Sequence, residues 1–255
     1  MDIKENPSLS QNKCVHPWEN ARLHIIKQII TNYSFKNQDY LLDFGSGDCF
    51  ILSNIIKYFK DLQFIGVDQN YKQNHINHLE KLLDRTQLHS DISSITLANK
   101  KKINIILLLD VLEHIKDPLS ELSNIYNHNR VADDALFIIT VPAFQFLMTK
   151  HDLRLGHYCR YNIESIKGLV KKLNLNILES GYLFQTAIFI RMLEKIGEKS
   201  FNYDNSDKIN KFKHNKLKNK IFFNFLIKEY NLFWSLSKKY KIHFPGLTAC
   251  IICQK

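Results

Sequence analysis

The sequence predicts an α/β fold, a doubly wound parallel sheet with helices on both faces. Three observations carry that expectation. Short apolar runs alternate with segments whose apolar residues repeat at helical spacing, the pattern of β-α units joined by right-handed crossovers. One run, INIILLLD at 103–110, is almost wholly aliphatic, as expected of a strand at the centre of a sheet covered on both sides. Gly45, Asp68, Asp91 and Asp110 each end an apolar run, and open α/β sheets bind ligands at the carboxyl ends of their strands.

The elements follow in chain order. In LLDFGSGDCF, residues 41–44 read as a buried strand that breaks into a tight turn at Gly45, Ser46 and Gly47, because glycine takes positive φ without a Cβ penalty. ILSNIIKYF then repeats at helical spacing, so the glycines precede a helix N-terminus, whose exposed N–H groups favour anionic or polar ligands. LQFIGVD is a second strand ending at Asp68, with Gln69 next; QNYKQNHINHLEKLLD is a helix; RTQLHSD is a short third strand ending at Asp91, with Ile92 next. The fourth strand is 103–110, residues 114–128 are helical, and ALFIITVP at 135–142 is a fifth strand stopped by Pro142. Residues 162–174 read as a helix, NLNILESGYLF as a sixth strand and GLTACIICQK as a seventh.

With 255 residues and 45% apolar content, the chain is long enough for one main core plus a small attachment. The core is assigned to 1–190 and 244–255, and 191–243 to a basic helical insertion before the last strand. No apolar run approaches the roughly 20 uncharged residues of a membrane span, and MDIKENPSLSQNK lacks the hydrophobic centre of a signal peptide, so a cytoplasmic protein is expected. Cys14, Cys49, Cys159, Cys250 and Cys253 are scattered, which predicts free thiols. Cys250 and Cys253 have CxxC spacing, but in a strand they face opposite ways and cannot share a metal. No metal site is expected.

The insertion carries the chain's charge: from Arg191 to Lys241 there are 13 Lys and Arg against 5 Asp and Glu, +8 of the net +10. KINKFKHNKLKNK precedes IFFNFLIKEYNLFWSLSKKYK, an aromatic helix whose Asn224, Lys228, Asn231, Ser235 and Lys238 form a narrow polar stripe. Three readings stand: a lid over an acceptor pocket, a homodimer contact, or peripheral membrane contact through 211–241.

The glycine turn also limits its ligand. A dinucleotide site needs glycine at the third position of GxGxxG, where this chain has Phe50, so a pyrophosphate is disfavoured. A nucleoside-like ligand remains, its ribose gripped through two hydroxyls by an acid about 20 residues on, where Asp68 stands.

On these residues the chain resembles the class I S-adenosylmethionine-dependent methyltransferases. DFGSGD resembles their glycine motif, FIGVD their ribose-binding acid, HSDIS their adenine-side motif and LLLDVLEHIKDPLSEL their fourth-strand motif. HPWENAR, VLEHIKD and VPAFQFLMTKHDLRLGHYCRY resemble a bacterial subgroup associated with small-molecule, lipid-precursor or surface-sugar methylation. The resemblance implies a Rossmann-like methyltransferase fold, a seven-stranded, mostly parallel sheet with its last strand antiparallel, and S-adenosyl-L-methionine as cofactor. It implies that Asp43, Gly45, Ser46 and Gly47 meet the amino-acid end of the donor, Asp68 and Gln69 the ribose, and Asp91 and Ile92 the adenine. Asp110 would border the donor near its sulfonium. Two departures stand out: Cys49 replaces the third glycine, and NHNRVADDALF lacks the usual Pro-Gly-Gly, with Asp133 and Asp134 as alternative turn formers.

Displacement at a sulfonium already has a good leaving group, so the enzyme gains chiefly by alignment, and a base matters for a hydroxyl or protonated amine. Histidine suits that task near neutrality. His157, oriented by Asp152, is the expected base, with His114 the alternative. His151, Arg160, Tyr161 and Trp18 are expected on the acceptor side, Trp18 together with Arg22 closing over the donor. Structural roles compete at each place: an ordinary turn for the glycines, an N-cap for Asp91, a helix start for His114, a loop strut for His157 and a packing anchor for Trp18. The acceptor is expected to be a small molecule, sugar or lipid-linked group. Rival readings are a nucleic-acid-binding methyltransferase, disfavoured because DVLEH is not the Asn/Asp-Pro-Pro-aromatic motif of base methylation, and a non-catalytic methyltransferase-like scaffold.

Overall fold

A computed structural model describes residues 16–33, 40–98, 100–201 and 216–255. The opening segment, Cys14 and the start of the lysine-rich run up to 215 lie outside the described residues. Seven strands form one sheet: β1 Tyr40–Phe44, β2 Gln63–Val67, β3 Thr86–His89, β4 Ile103–Leu109, β5 Val131–Pro142, β6 Asn176–Leu183 and β7 Thr248–Gln254. Their order is β3-β2-β1-β4-β5-β7-β6. Pairs from β3 through β5 are parallel, and β7 enters antiparallel between β5 and β6. The chain therefore winds outward in both directions from β1 and β4, which makes the carboxyl ends of that pair a topological switch point.

Among the described residues the helices are α1 Pro17–Asn32, α2 Phe50–Ile55, α3 Gln73–Leu82, α4 Pro118–Asn127, α5 Lys150–Leu155, α6 Ile163–Lys172, α7 Gln185–Phe201 and α8 Lys216–Tyr240. Strand alternation splits the core into two layers. Leu42, Ile65, Ile106, Phe137 and Ile251 face α4 and α6, which contribute Leu122, Ile125, Ile166 and Val170. Leu41, Phe64, Ile105, Leu107 and Ile252 face α1, α2 and α8. Cys253 lies in the first layer and Cys250 in the second, so the two thiols are separated by the sheet, and all four described cysteines are free.

Three boundaries differ from the sequence reading. The helix after the glycines spans only Phe50–Ile55. Residues 114–128 divide into a 3-10 turn at Leu112–His114 and α4, which begins at the Pro118 that follows the Asp117 cap. Asp133 and Asp134 do not make a turn but lie exposed within β5, where the pairing jumps from Ile103↔Val131 to Ile105↔Leu136. The extra residues bulge outward, which lets two carboxylates sit in a strand without entering the core.

The segment before β7 is partly built into the body. On α8, Leu226, Tyr230 and Trp234 are buried against the α1 side of the sheet. Buried Glu229 accepts hydrogen bonds from Thr186 N at 2.5 Å and Thr186 Oγ1 at 3.0 Å, which places a carboxylate on the first turn of α7. The polar stripe has partners too: Asn231 accepts from Gln28, Lys238 donates to Glu179 at 2.6 Å, and Asn231, Ser235 and Lys238 line a cavity of about 510 Å³ between α1 and α8. No helix among the described residues is long and apolar enough to cross a membrane.

Candidate functional site

The bend after β1 is held in left-handed backbone at Gly45, φ +77°, and Gly47, φ 50°. A Cβ on Gly45 would stand 2.5 Å from Val111 Cγ2, so the bend rests directly on the chain leaving β4, and only glycine fits. Gly45 N and Ser46 N donate to Val67 O at 2.7 and 3.0 Å. Gly47 N donates to Asp68 Oδ2 at 3.0 Å and Phe50 N to Asp48 Oδ1 at 3.1 Å. These N–H groups are spent inside the protein, contrary to the sequence expectation that they face a ligand: the end of β2 takes the first three and Asp48 takes Phe50 N.

Cys49 stands where glycine was expected and takes the strained left-handed conformation, φ 59°. Its side chain turns into the core, with Sγ 2.9 Å from Tyr71 Oη, which is also 2.8 Å from Ser46 Oγ. Burial, first, and the acids around it push the thiol up to about 12, so it stays protonated.

Asp68, half-buried at the end of β2, accepts from Gly47 on Oδ2 and from Asn70 N and Nδ2 on Oδ1, at 2.9 and 3.0 Å. No cation pairs with it among the described residues, and each oxygen keeps acceptor capacity. Gln69 is exposed beside it. Asp43 is buried, and that burial, opposed by Arg22, pushes its carboxyl up to about 7. Asp91 caps the 3-10 turn Ile92–Ser94, accepting from Ser93 N at 2.7 Å, while Ile92 is buried. At the end of β4, Asp110 pairs with Arg22 at 2.8 Å and accepts from Thr140 Oγ1 at 3.1 Å. Trp18 packs against Phe184 with ring centroids 3.9 Å apart and the planes tilted by 31°. Gly45, Asp68, Asp91 and Asp110 thus share one sheet edge, with α1 reaching over it through Arg22.

A second constellation stands on the loop after β5. Asp152, 1% exposed, closes a capping box with Thr149 and is met by Arg160 Nε and Nη2 at 3.1 and 2.6 Å and by Arg191 Nη2 of α7 at 2.8 Å. His157 Nδ1 lies 3.1 Å from its Oδ1. Burial alone would raise this carboxyl, but hydrogen bonds from His157 and Arg160 hold it far below the usual range. An ionised Asp152 only accepts, so Nδ1 carries the proton of this bond, and Nε2 is the nitrogen that holds the lone pair in the neutral ring. His114 meets His157 edge-on, centroids 4.6 Å apart.

Arg160 also donates to Ala143 O at 3.1 Å, and Tyr161 Oη donates to Leu112 O at 3.1 Å. Both side chains are buried struts of the loop. His151, on α5, takes no part in this network. The sequence reading missed Thr149 and Arg191, which reach Asp152 from different elements, and Glu113, whose place beside His114 in VLEH was its only signal. Glu113 is 1% exposed, and burial, aided by the neighbouring Asp110 charge, pushes its carboxyl well above the usual range.

A family model described as a methyltransferase domain matches residues 18–180. No curated protein matches the sequence. Solved structures do. A SAM-dependent methyltransferase from Archaeoglobus fulgidus aligns over 93% of this chain and 97% of its own, with 15% identity and a TM-score of 0.52. Phosphoethanolamine N-methyltransferase 2 of Haemonchus contortus, in complex with S-adenosyl-L-methionine, aligns over 96% of this chain and 54% of its own, with 19% identity and a TM-score of 0.56. The [4+2]-cyclase SpnF aligns over 93% and 82%, with 11% identity and a TM-score of 0.55. At such identities the likeness is one of fold.

Proposed function

The chain belongs to the methyltransferase-domain family and is a class I, S-adenosylmethionine-dependent enzyme of it; from that premise we propose that it methylates a small-molecule, sugar or lipid-linked acceptor brought to the loop after β5. The observation that supports the placement is the glycine bend packed on Val111 at the β1/β4 switch point, with Asp68 one strand away. There Asp68 takes the ribose hydroxyls, Asp43 and the bend border the amino-acid end, and Ile92 and Asp91 flank the adenine. Asp110, braced by Arg22, stands next to the reacting sulfonium.

Methyl transfer needs the acceptor atom in line with the methyl–sulfur bond. His157 presents Nε2 to a hydroxyl or ammonium, because Asp152 fixes the other ring nitrogen; His114 lies against it as the alternate proton acceptor. Arg160 and Tyr161 hold the loop in shape. Over that loop lies α7, where Lys195 Nζ donates to Met148 O at 3.2 Å and to Phe146 O, so α7 serves as the lid. His157→Ala is expected to leave calorimetric donor binding within about twofold and to slow turnover about 100-fold or more, the usual scale of general-base catalysis. Equal loss of binding and turnover would remove the assignment.

A lipid-linked acceptor is favoured by the surface around this lid. Phe189, Leu193 and Ile196 on α7 and Leu217, Ile221 and Phe225 on α8 are exposed in the most basic part of the chain, a combination suited to an anionic membrane surface. The protein is expected to sediment with phosphatidylserine or phosphatidylglycerol vesicles at low salt and to be released as salt rises. Failure to sediment at low salt removes the membrane reading and leaves the soluble acceptors.

A further inference from the structure

We propose that Glu113, His114 and His157 form a binding site for a divalent transition-metal ion of the Zn²⁺ or Mn²⁺ kind, beside the acceptor loop. One ligand atom from each residue lies within 4.8 Å of the others. Ligands on a common ion at about 2.0–2.2 Å lie about 3.0–3.6 Å apart, so the three side chains need only draw together by small adjustments.

The first support is Glu113. Among the described residues, neither of its carboxylate oxygens meets a hydrogen-bond partner, although both are buried. Native proteins seldom leave a buried carboxyl group unsatisfied, because its lost contacts with water are then not replaced. A cation set between it and two imidazoles would take the place of the missing partner, with Glu113 giving up its proton on binding.

The second support is the histidine. His157 already has the outer half of a carboxylate–histidine–metal arrangement: Nδ1 on Asp152, with Asp152 fixed by Arg160, Arg191 and Thr149. That orientation leaves Nε2 as the ligand atom and raises its basicity.

The third is the backbone. Tyr158 N donates to Glu113 O at 2.7 Å, which ties the His157 loop to the turn bearing Glu113 and His114. Two segments far apart in sequence are thereby kept in ligand register.

Two imidazoles and one carboxylate suit Zn²⁺, Mn²⁺ or Fe²⁺ better than Mg²⁺ or Ca²⁺, which favour oxygen-only sets. Three protein ligands leave coordination positions open. On the proposed methyl-transfer reading, on which this part rests, an acceptor hydroxyl or phosphate oxygen fills one of them. The cation then orients the acceptor atom that the imidazole would otherwise meet directly.

The test uses the whole chain, stripped with a chelator and titrated with Co²⁺ and then Zn²⁺, with S-adenosylmethionine binding measured on the same preparation. One Co²⁺ per chain is expected, with visible d–d bands that Zn²⁺ abolishes. Glu113→Gln and the exposed His114→Asn are each expected to weaken Co²⁺ binding by about 10-fold or more while donor affinity is unchanged; should the buried variant fail to fold, the exposed one decides. No Co²⁺ bound, or equal affinity in the folded variants, overturns the site. Donor bound without cation removes this site alone, whereas cation bound without donor removes the methyl-transfer reading and leaves the metal site standing.

Discussion

Asp68→Ala is expected to abolish measurable binding of S-adenosylmethionine. An ionised carboxylate on two ribose hydroxyls makes two charge-assisted hydrogen bonds, each worth about 1.5–3 kcal/mol, so their joint loss weakens binding by about 100-fold or more. The variant also loses the bond from Gly47 N to Asp68 Oδ2, at 3.0 Å, so the bend loosens where the donor's amino-acid end would lie. Calorimetry with S-adenosylmethionine and with S-adenosylhomocysteine measures the effect. Asp68→Asn separates its parts: Asn keeps an acceptor for Gly47 N but no charge, and an intermediate affinity is expected. Wild-type affinity in Asp68→Ala removes the ribose assignment, and no binding even by the wild-type chain at millimolar donor favours a non-catalytic scaffold.

Asp152→Ala is expected to be the most destabilising single change in the loop after β5. The side chains of Arg160 and Arg191 are 5% and 11% exposed, and both lose their counter-charge at once. Removing one partner of a buried ion pair costs about 3–5 kcal/mol, or about 10 °C in melting temperature for a chain of this size. The pH dependence has a definite sign. Because hydrogen bonds and the arginine charges, working against burial, depress the folded-state pKa of Asp152, its stabilisation is complete above the ordinary value near 4 and fades only as pH falls through the depressed one. The gap between wild type and variant should therefore be constant from about pH 5 to 8 and shrink in acid. Thermal unfolding across that range checks it, and melting within about 2 °C of wild type at pH 7 would show that the two arginines find water or other acceptors.

The sheet was legible because its central strands are buried on both faces. INIILLLD and LQFIGVD are too apolar for any other place, and polar residues ending them had to fall at the sheet edge. The bulge at Asp133 and Asp134 was not legible, since paired acids read as a turn wherever the neighbouring register is unknown. The candidate site divides in the same way. Gly45 and Asp68 are local signals, set by the strand ends that carry them. Arg191 and Asp152 are 39 residues apart and meet only because α7 returns over the loop; no spacing rule connects them. Glu113 was hidden for a different reason: a glutamate on a turn normally points to water, and its burial follows from the loop folding down over it.

Glu229, seated on the first turn of α7, makes the inserted segment something other than an appendage. Excising 216–240 would uncover the outer side of α1 and β6 and, at the same stroke, leave α7 without the carboxylate on its first turn. If α7 is the lid proposed above, a shortened chain intended as a minimal catalytic domain would lose command of access to the loop after β5, even with every strand of the sheet retained.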